Sequence, residues 1–376
     1  MFTNAYKPIT SGVVNTIEII MNALERKGHE VFVFAPDFTG YKDDKKNIIR
    51  YPSVNLIKSV KFPVAIPLSY YAGQVLKKFK PDIIHAHQPF VLGKAGLLYS
   101  RKHDIPFVLT YHTQYEMYTH YIPLPQNLVK YFCRRSIRNV LDRTTCITTP
   151  SPSIAEMLES YGLKTRIEVI PNAVNLDEYH DVSDNQLDDI KRLYELEGKR
   201  VVLYVGRIAP EKNLIFLIDS FKRVYEKISN AMLMIVGDGP QLSELKRYVS
   251  NIGFDSRIIF TGNVEYKKIP AYYMVSDIFA ITSTTEVKPL VILEALAAGL
   301  PIVAVYAPGA KDTLTDDSDG ILTKESLDEY SNALIKLLTD DLLYQRLSKG
   351  AVKTSVLYSA DHISDCFISL YKELSN

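Results

Sequence analysis

The chain of 376 residues is 47% hydrophobic and 23% charged, a balance typical of a folded globular protein. Its length favours two domains, each with enough apolar side chains for a core. The cysteines Cys133, Cys146 and Cys366 are too few and too scattered for a disulfide framework or a CxxC metal site, and we expect three buried thiols in a cytosolic protein. No apolar run reaches the about 20 residues that span a bilayer, and the first residues lack a signal-peptide pattern, so neither a membrane span nor secretion is predicted.

The net charge of +1 conceals two halves of opposite sign. Residues 1–170 contain 22 Lys or Arg and 13 Asp or Glu, a net charge of +9, whereas residues 171–376 contain 22 and 30, a net charge of −8. A basic half suggests an anionic partner, such as a membrane surface or a phosphorylated acceptor; attraction between complementary domains is the alternative. Because the basic segments carry no nucleic-acid-binding motif, we expect no nucleic-acid partner.

Short apolar runs alternate with amphipathic helices along the chain, a pattern that predicts parallel sheets with helical crossovers. The first helix is predicted in VVNTIEIIMNALERKG and ends at Gly28. Strands of the first half are predicted in HEVFVFAP, PDIIHAHQP, IPFVLTYHT and TCITTPS. The pattern restarts after IEVIPNAVNLDEY, and strands of the second half are predicted in KRVVLYVGR, AMLMIVGDGP, SRIIFTGNV, DIFAITS and LPIVAVYAP.

The fold class predicted from this pattern is α/β, with two doubly wound, Rossmann-like domains facing across a cleft. We place an N-terminal domain at 1–170, a C-terminal domain at 171–355 and a linker near 171–181. The last segment, 356–376, is predicted to be a helix that crosses back to the first domain.

Polar residues follow two predicted strands of the second half, where ligands of such sheets bind. GRIAPEK supplies Gly206, Arg207 and Lys212, and ITSTTEVKP supplies Glu286. An arginine and a lysine at the mouth of a sheet suit a diphosphate, although a basic pair on a loop is also common on solvated surfaces. Glu294 lies in an apolar helical run, where a carboxylate is unusual. Neither GxGxxG nor a Walker motif occurs.

These segments resemble the donor half of retaining glycosyltransferases of the GT-B fold, glycosyltransferase family 4. The resemblance rests on GRIAPEKNLIFLIDSF, MIVGDGP, IIFTGNV, YYMVSDIFAITSTTE and LVILEALAAGLPIVA, which occur in the family's order and spacing. It extends over about residues 5–370, and its most specific part is the pair Glu286 and Glu294 preceded by Arg207 and Lys212.

The resemblance implies a role for each matching residue. Glu294 would accept the donor ribose hydroxyls, Glu286 would contact the sugar, and Arg207 with Lys212 would hold the diphosphate and stabilise the leaving group. His112 would lie against the donor sugar; a structural histidine is the alternative. The catalytic set is therefore His112, Glu286, Arg207 and Lys212, and the other donor-binding residues are Gly12, Gly206, Gly237, Val264, Leu290, Val291 and Glu294.

The family resemblance also implies the reaction. We expect retention of configuration by substitution on one face of the sugar, with the leaving phosphate assisting acceptor deprotonation. We expect a nucleotide-sugar donor, UDP-glucose first, and neither a cofactor nor a metal, because no DxD-like carboxylate pair occurs at the predicted donor site.

The stretch YHTQYEMYTHYIP followed by KYFCRRSIRNV resembles the bacterial diacylglycerol glucosyltransferases, the monoglucosyldiacylglycerol synthases of that family. Independently, a run of basic and apolar side chains predicts an interfacial helix attracted to anionic lipid, with an ordinary surface helix as the alternative. Its basic residues are Lys130, Arg134, Arg135, Arg138 and Arg143. The apolar segment at 58–71 is a second candidate for membrane contact, or it packs against the basic helix.

Three departures from the family pattern bear on activity. Pro289 replaces a usual glycine in the loop whose N–H groups meet the donor, Ala173 replaces another, and the first strand is shorter. The leading prediction is a peripheral enzyme of the inner membrane face that transfers glucose to diacylglycerol. The alternatives are a soluble or phosphorylated acceptor, and a nucleotide-sugar-binding protein with impaired catalysis.

Overall fold

The computed structural model describes residues 1–9, 11–54, 63–112, 126–286 and 288–376, without the side chains of Lys130 and Phe132. The chain divides into two compact units. Unit 1 comprises Met1–Asn172 and Asp361–Asn376, and unit 2 comprises Ala173–Ala360. The predicted linker, 171–181, contains the junction between the units. Within the described residues, no helix combines the length and apolar character that crossing a bilayer requires.

Unit 1 is built mainly on parallel strands with helical connections, together with one short antiparallel pair. Its strands are β1 (Val33–Pro36), β2 (Ile48–Tyr51), β3 (Ser53–Val54), β4 (Val64–Ala65), β5 (Ile84–Ala86), β6 (Phe107–Thr110), β7 (Cys146–Thr149) and β8 (Arg166–Val169). Its helices are α1 (Gly12–Arg26), α2 (Tyr70–Phe79), α3 (Val91–His103), α4 (Gln126–Leu141) and α5 (Pro152–Ser160). β5 to β8 form one parallel sheet in that order, and β1 pairs with β2.

Phe2 bridges the two parallel parts of unit 1, because it pairs with Phe34 of β1 on one side and with Ala86 of β5 on the other. Its ring is buried and stacks on Phe34 with the ring centroids 4.6 Å apart. α1 forms beside it because Ser11 caps the helix and the apolar residues recur every three or four positions, so that one face is buried.

Unit 2 is a doubly wound domain around a six-stranded parallel sheet. Its strands are β9 (Arg200–Val205), β10 (Ala231–Val236), β11 (Ile258–Gly262), β12 (Ile278–Ile281), β13 (Ile302–Val305) and β14 (Gly320–Thr323). Its helices are α6 (Asp177–His180), α7 (Asp184–Leu193), α8 (Leu214–Lys227), α9 (Leu242–Asn251), α10 (Ile269–Met274), α11 (Leu290–Ala297), α12 (Pro308–Lys311), α13 (Leu327–Thr339) and α14 (Asp341–Ser355). The final helix, α15 (Ala360–Ser375), continues into unit 1.

The strands of unit 2 are apolar on both faces because helices cover both sides of the sheet. In β9, Val201, Leu203 and Val205 belong to one core, and Val202 with Tyr204 belongs to the other. This two-residue alternation is the pleat of a strand buried on both faces.

The predicted α/β class is confirmed, and every strand predicted from the sequence is present. β2, β3, β4, β8 and β14 were not predicted. β3 and β4 are only two residues long, β2 and β8 contain charged residues, and β14 begins with a glycine. The expectation of three buried cysteines was wrong: Cys146 is buried, but Cys133 and Cys366 are only partly covered.

Candidate active site

Four of the predicted donor residues lie in loops at one edge of the sheet in unit 2. The strand order is β11-β10-β9-β12-β13-β14, so consecutive connections depart in opposite directions from β9 and β12. The loops after these two strands therefore open a crevice at the carboxyl edge, the usual ligand position in doubly wound sheets. Gly206, Arg207 and Lys212 follow β9, and Glu286 follows β12.

Glycines allow the loops after β9 and β10 to pack together. Gly206 and Gly237 have φ of +151° and +138°, and a Cβ on Gly237 would lie 2.0 Å from the carbonyl oxygen of Gly206. The Gly206 N–H donates to the Val236 carbonyl at 3.0 Å, and the Ile208 N–H donates to the Asp238 carbonyl at 3.0 Å. The loop that carries Arg207 is thus held against the end of β10.

Lys212 and Glu286 form an ion pair, with side chains that are 17% and 29% exposed. Hydroxyls beyond β12 hold the lysine loop: Thr282 Oγ1 donates to the Lys212 carbonyl at 2.8 Å, and Ser283 Oγ donates to the Glu211 carbonyl at 3.0 Å. The structure therefore brings together the cation predicted for the diphosphate and the carboxylate predicted for the sugar. Thr282 and Ser283 had no predicted role, although both lie in the quoted ITSTTEVKP segment.

Arg207 is exposed, and its guanidinium has no hydrogen bond or ion pair with any side chain in the described part of the chain. Its backbone is fixed, because Tyr204 Oη donates to the Arg207 carbonyl at 3.0 Å. An exposed cation that is unpaired among the described residues, on the same loop as an ion-paired lysine, is suited to an anionic ligand.

Glu294 is buried, with 5% of its surface exposed, in the second turn of α11 rather than at the helix start. Tyr273 and Tyr266 donate to its two carboxylate oxygens at 2.9 and 3.2 Å. Burial raises the pKa of Glu294 to about 7, against the lowering effect of the two tyrosine hydrogen bonds. Sequence reasoning missed both tyrosines; Tyr273 lies in the quoted YYMVSD segment, which marked the family but suggested no partner for Glu294.

Pro289 is the N-cap of α11, and Leu290 and Val291 are its first two residues. Backbone N–H groups in a first helical turn have no acceptor within the helix, so these two are suited to an anion or to a ligand oxygen. Lys288, which sequence analysis did not single out, is buried: its Nζ donates to the Asp312 carbonyl at 2.9 Å and lies 4.5 Å from the Tyr358 ring centroid. Burial lowers the pKa of Lys288 to about 8.

The other predicted donor residues are more dispersed. Gly237 follows β10 and lies next to Gly206, whereas Val264 follows β11 and packs against the core. Gly12 belongs to unit 1, where it is the first residue of α1, after the capping Ser11.

His112 lies in unit 1, two residues after β6, in a row of three histidines. His87 Nδ1 and His112 Nε2 are 3.0 Å apart, and the rings of His85 and His87 have centroids 4.3 Å apart. Burial lowers the pKa of His112 to about 4 and that of His85 and His87 well below the ordinary value. Sequence reasoning missed His85 and His87, although both lie in the predicted strand segment PDIIHAHQP.

The predicted basic helix is α4. Arg134, Arg135 and Arg138 are exposed on it, whereas Ile137 and Val140 are buried. Leu128 and Tyr131, also on α4, are both 57% exposed. The side chain of Lys130 lies outside the described residues, as do 113–125 of the YHTQYEMYTHYIP stretch and 58–62 of the second membrane candidate. In the described remainder of that candidate, Leu68 and Tyr70 are 80% and 84% exposed.

Solved structures identify the fold. Sucrose-phosphate synthase from Thermosynechococcus elongatus aligns with a TM-score of 0.79 and 19% identity over 99% of this chain and 98% of its own. The Anabaena protein Alr3699/HepE, solved in complex with UDP-glucose, aligns with a TM-score of 0.74 and 19% identity over 99% of both chains. The fold is that of the GT-B glycosyltransferases, as predicted.

The family follows from the sequence matches. Residues 10–178 match Glycosyltransferase Family 4, and residues 185–354 match Glycosyl transferases group 1. The alpha-monoglucosyldiacylglycerol synthase of Streptococcus pneumoniae is 32% identical to this chain, over 86% of this chain and 74% of its own length. The alpha-monoglucosyldiacylglycerol synthase of Acholeplasma laidlawii is 30% identical, over 100% of this chain and 96% of its own length. A GDP-mannose-dependent alpha-mannosyltransferase of Mycobacterium tuberculosis is 28% identical, over 85% of this chain and 81% of its own length. The chain therefore belongs to glycosyltransferase family 4, which confirms the predicted resemblance.

Proposed function

We propose that this glycosyltransferase transfers glucose from UDP-glucose to diacylglycerol with retention of configuration. The observation that carries the proposal is the grouping of Arg207 and the Lys212–Glu286 ion pair at the carboxyl edge between β9 and β12. The similarity to two alpha-monoglucosyldiacylglycerol synthases supports the choice of sugar and acceptor.

The donor diphosphate binds Arg207 and Lys212 in this proposal. The exposed guanidinium of Arg207 donates to phosphate oxygens, and Lys212 shares its charge between Glu286 and the phosphate. As the bond to the anomeric carbon breaks, negative charge builds on the diphosphate, and the two cations stabilise it. Glu286, held by Lys212, accepts hydrogen bonds from the sugar hydroxyls.

Glu294 receives the ribose in the same proposal. Each carboxylate oxygen accepts one tyrosine hydroxyl and retains a lone pair for a ribose hydroxyl. Hydrogen bonds from the ribose favour the ionised carboxylate, so nucleotide binding lowers the pKa of Glu294 from about 7 and releases protons near neutral pH.

The chemical step uses no enzyme nucleophile in our proposal. The acceptor hydroxyl attacks on the face from which the diphosphate leaves, and the departing phosphate takes its proton. His112 contacts the donor sugar. The residues of the donor site supply positive charge without a metal; in the described residues, no group of three potential ligands could hold one.

The acceptor is a lipid in this proposal, and α4 attaches the enzyme to the membrane surface. Its exposed residues combine an apolar pair, Leu128 and Tyr131, with the arginines at 134, 135 and 138. Such a surface suits anionic headgroups above an apolar interior. The enzyme would then work at the cytosolic face of the membrane as a peripheral protein.

The similarity to a GDP-mannose-dependent mannosyltransferase favours one alternative donor, GDP-mannose. Pro289 favours a different alternative, a protein that binds nucleotide sugars without turnover, because proline removes one N–H at the start of α11.

The test is radiolabel transfer from a panel of UDP- and GDP-sugars, with and without diacylglycerol liposomes that contain anionic lipid. We expect a labelled glycolipid from UDP-glucose only when liposomes are present. Replacement of the three α4 arginines by alanine should weaken liposome binding, whereas a control that removes Arg101 and Lys102, exposed at the end of α3, should not. Transfer to a water-soluble acceptor, or binding without transfer, would contradict the proposal.

A further inference from the structure

His87 and His112 are joined by a hydrogen bond in the plane of their rings. Nδ1 of His87 and Nε2 of His112 are 3.0 Å apart, the ring centroids are 5.3 Å apart, and the planes differ by 21°. The rings therefore lie edge to edge in nearly one plane, which points a nitrogen lone pair of one ring at the N–H of the other. This is good hydrogen-bond geometry.

The bond contains a single proton. Burial lowers the pKa of both rings, that of His112 to about 4, so both are neutral near pH 7. A neutral imidazole has one N–H and one bare nitrogen. Either His87 donates through Nδ1, or His112 donates through Nε2, and the choice determines the tautomer of both residues.

The second nitrogen of His87 decides between the two arrangements. Nε2 of His87 is buried and has no hydrogen-bond partner among the residues the structure describes. If His112 were the donor, this nitrogen would carry an N–H buried without an acceptor. Orphaned buried N–H groups are rarer in proteins than unfilled acceptors. The proton of His87 therefore belongs on Nδ1, where it has an acceptor in His112.

The His87 ring is held in place by its surroundings. Its backbone N–H donates to the Phe2 carbonyl at 2.9 Å, and its ring lies against His85. His85 is itself fixed at both ring nitrogens, by Tyr371 Oη and by Thr110 Oγ1, each at 2.6 Å. Tyr371 comes from α15, so the final helix anchors the histidine row within unit 1.

We propose that His87 is a positioning residue that holds His112 as the tautomer with its proton on Nδ1. Within the described residues, no hydrogen bond occupies this Nδ1, so it is an N–H donor for a ligand oxygen. The use of this donor rests on the proposed function: His112 would donate to an oxygen of the sugar instead of accepting from a sugar hydroxyl. The tautomer itself follows from unit 1 alone.

Nuclear magnetic resonance of the full chain, labelled with ¹⁵N in the histidine rings, tests the tautomer. Long-range ¹H–¹⁵N correlation distinguishes a protonated ring nitrogen from a bare one, and the signal lost in His112→Gln assigns His112. We expect a protonated Nδ1 and a bare Nε2. His87→Leu removes the donor and should move His112 toward the Nε2–H form. His87→Asn, whose amide nitrogen takes the place of Nδ1, should retain the wild-type pattern.

Two spectroscopic results would overturn the inference. One is a proton on Nε2 of His112 in the wild-type protein. The other is an unchanged tautomer in a His87→Leu protein that is folded by circular dichroism and thermal melting. If His87→Leu does not fold, the spectra of the wild-type protein and of His87→Asn still show which tautomer His112 adopts.

Kinetics separate this inference from the proposed function. We expect kcat for glucose transfer to fall about tenfold in His87→Leu and to recover in His87→Asn, with KM nearly constant, since one misdirected hydrogen bond is worth about 1.4 kcal/mol. His103→Asn, at the exposed end of α3, is the matched control. The expected tautomer with wild-type turnover in both His87→Leu and His112→Gln would reject the use of His112 in the reaction and leave its tautomer established.

Discussion

Arg207 and Lys212 are two cations on one loop with different surroundings. Lys212 is partly buried and paired with Glu286, whereas the Arg207 side chain is exposed, without an ion pair to any described residue. Removal of Lys212 would leave a carboxylate unpaired and affect folding as well as binding. Arg207 therefore offers the cleaner test of anion binding, because its side chain contributes little to the folded state.

Arg207→Ala should weaken UDP binding about tenfold or more, because charged hydrogen bonds contribute about 1.5 to 3 kcal/mol. The melting temperature should stay nearly constant, as for other exposed substitutions. Titration calorimetry and thermal unfolding measure the two effects. Arg247→Ala, on the exposed face of α9, is the control, and equal UDP affinity in both variants would contradict a diphosphate role for Arg207.

Glu294→Gln should stabilise the protein more at high pH than at low pH. The pKa of Glu294 is raised to about 7, so between pH 4.5 and 7 the folded state binds more protons than the unfolded state, and stability falls as pH rises through this window. Glutamine removes this dependence. We expect the variant's stability relative to wild type to be about 1 to 3 kcal/mol more favourable at pH 8 than at pH 4.5.

Urea unfolding at both pH values measures this difference, and comparison of the two cancels the loss of one tyrosine hydrogen bond. Glu265→Gln, an exposed residue near Tyr266, is the matched control. UDP affinity should nevertheless fall in Glu294→Gln. If the stability of Glu294→Gln relative to wild type is the same at pH 8 and pH 4.5, the raised pKa of Glu294 is contradicted.

At the scale of elements, the candidate site depends on how closely two loops approach. The loops after β9 and β10 touch through backbone atoms because Gly206, Gly237 and Gly239 lack side chains. Hydroxyls after β12 then tie the lysine loop from the other side. The position of the loop that carries Arg207 and Lys212 therefore depends mainly on the strand ends and the glycines. The side chains of the two cations contribute less to it.

Gly237→Ala should cost about 3 kcal/mol or more, because the new Cβ would lie 2.0 Å from the Gly206 carbonyl oxygen at a φ of +138°. Gly253→Ala is the matched control: its φ is +72°, but no atom lies within 4 Å, so only the backbone term of about 1 kcal/mol applies. Thermal unfolding compares the two, and UDP binding should weaken only in Gly237→Ala. Equal losses of stability would show that the loops do not depend on this contact.

At the scale of the whole molecule, the two units differ in the buried groups that change proton binding between pH 5.5 and 7.5. Lys288 of unit 2, whose pKa is lowered to about 8, remains largely protonated over this range. Unit 1 buries neutral histidines, whose pKa is lowered, and unit 2 buries Glu294, whose pKa is raised. A group with a lowered pKa makes the unfolded state the stronger proton binder, so its unit loses stability in acid. A raised carboxyl pKa has the reverse effect.

Acidification from pH 7.5 to 5.5 should therefore destabilise unit 1 and stabilise unit 2. Each buried histidine contributes up to about 1.4 kcal/mol, because the unfolded imidazole gains a proton below pH 6.5 and the folded one does not. Hydrogen exchange resolved along the chain measures both units at once. His87→Asn should reduce the acid sensitivity of unit 1, whereas His29→Gln, an exposed control, should not. Parallel responses of the two units would refute this expectation.

The sequence by itself determined the α/β class, nine of the described strands and the family, because these depend on local periodicity and on motifs of fixed spacing. It also selected Arg207, Lys212 and Glu286, because charged residues that follow apolar strands are visible in the sequence, and Glu294, because a carboxylate in an apolar helical run is unusual. The strands β2, β3, β4, β8 and β14 were not predicted. Two-residue runs, and short runs that contain charged residues or a glycine, have too little apolar pattern of their own and depend on pairing with neighbouring strands.

Only the tertiary structure decided which side chains meet. Lys212 and Glu286 are 74 positions apart, and Glu294 finds its partners 21 and 28 positions away. His85, His87 and His112 come from two strand ends; His87 bonds to His112, and Tyr371 of the last helix bonds to His85. Burial then set the pKa of these groups. Distances and burial arise from packing between segments far apart in the chain, and no local pattern of residue types specifies them.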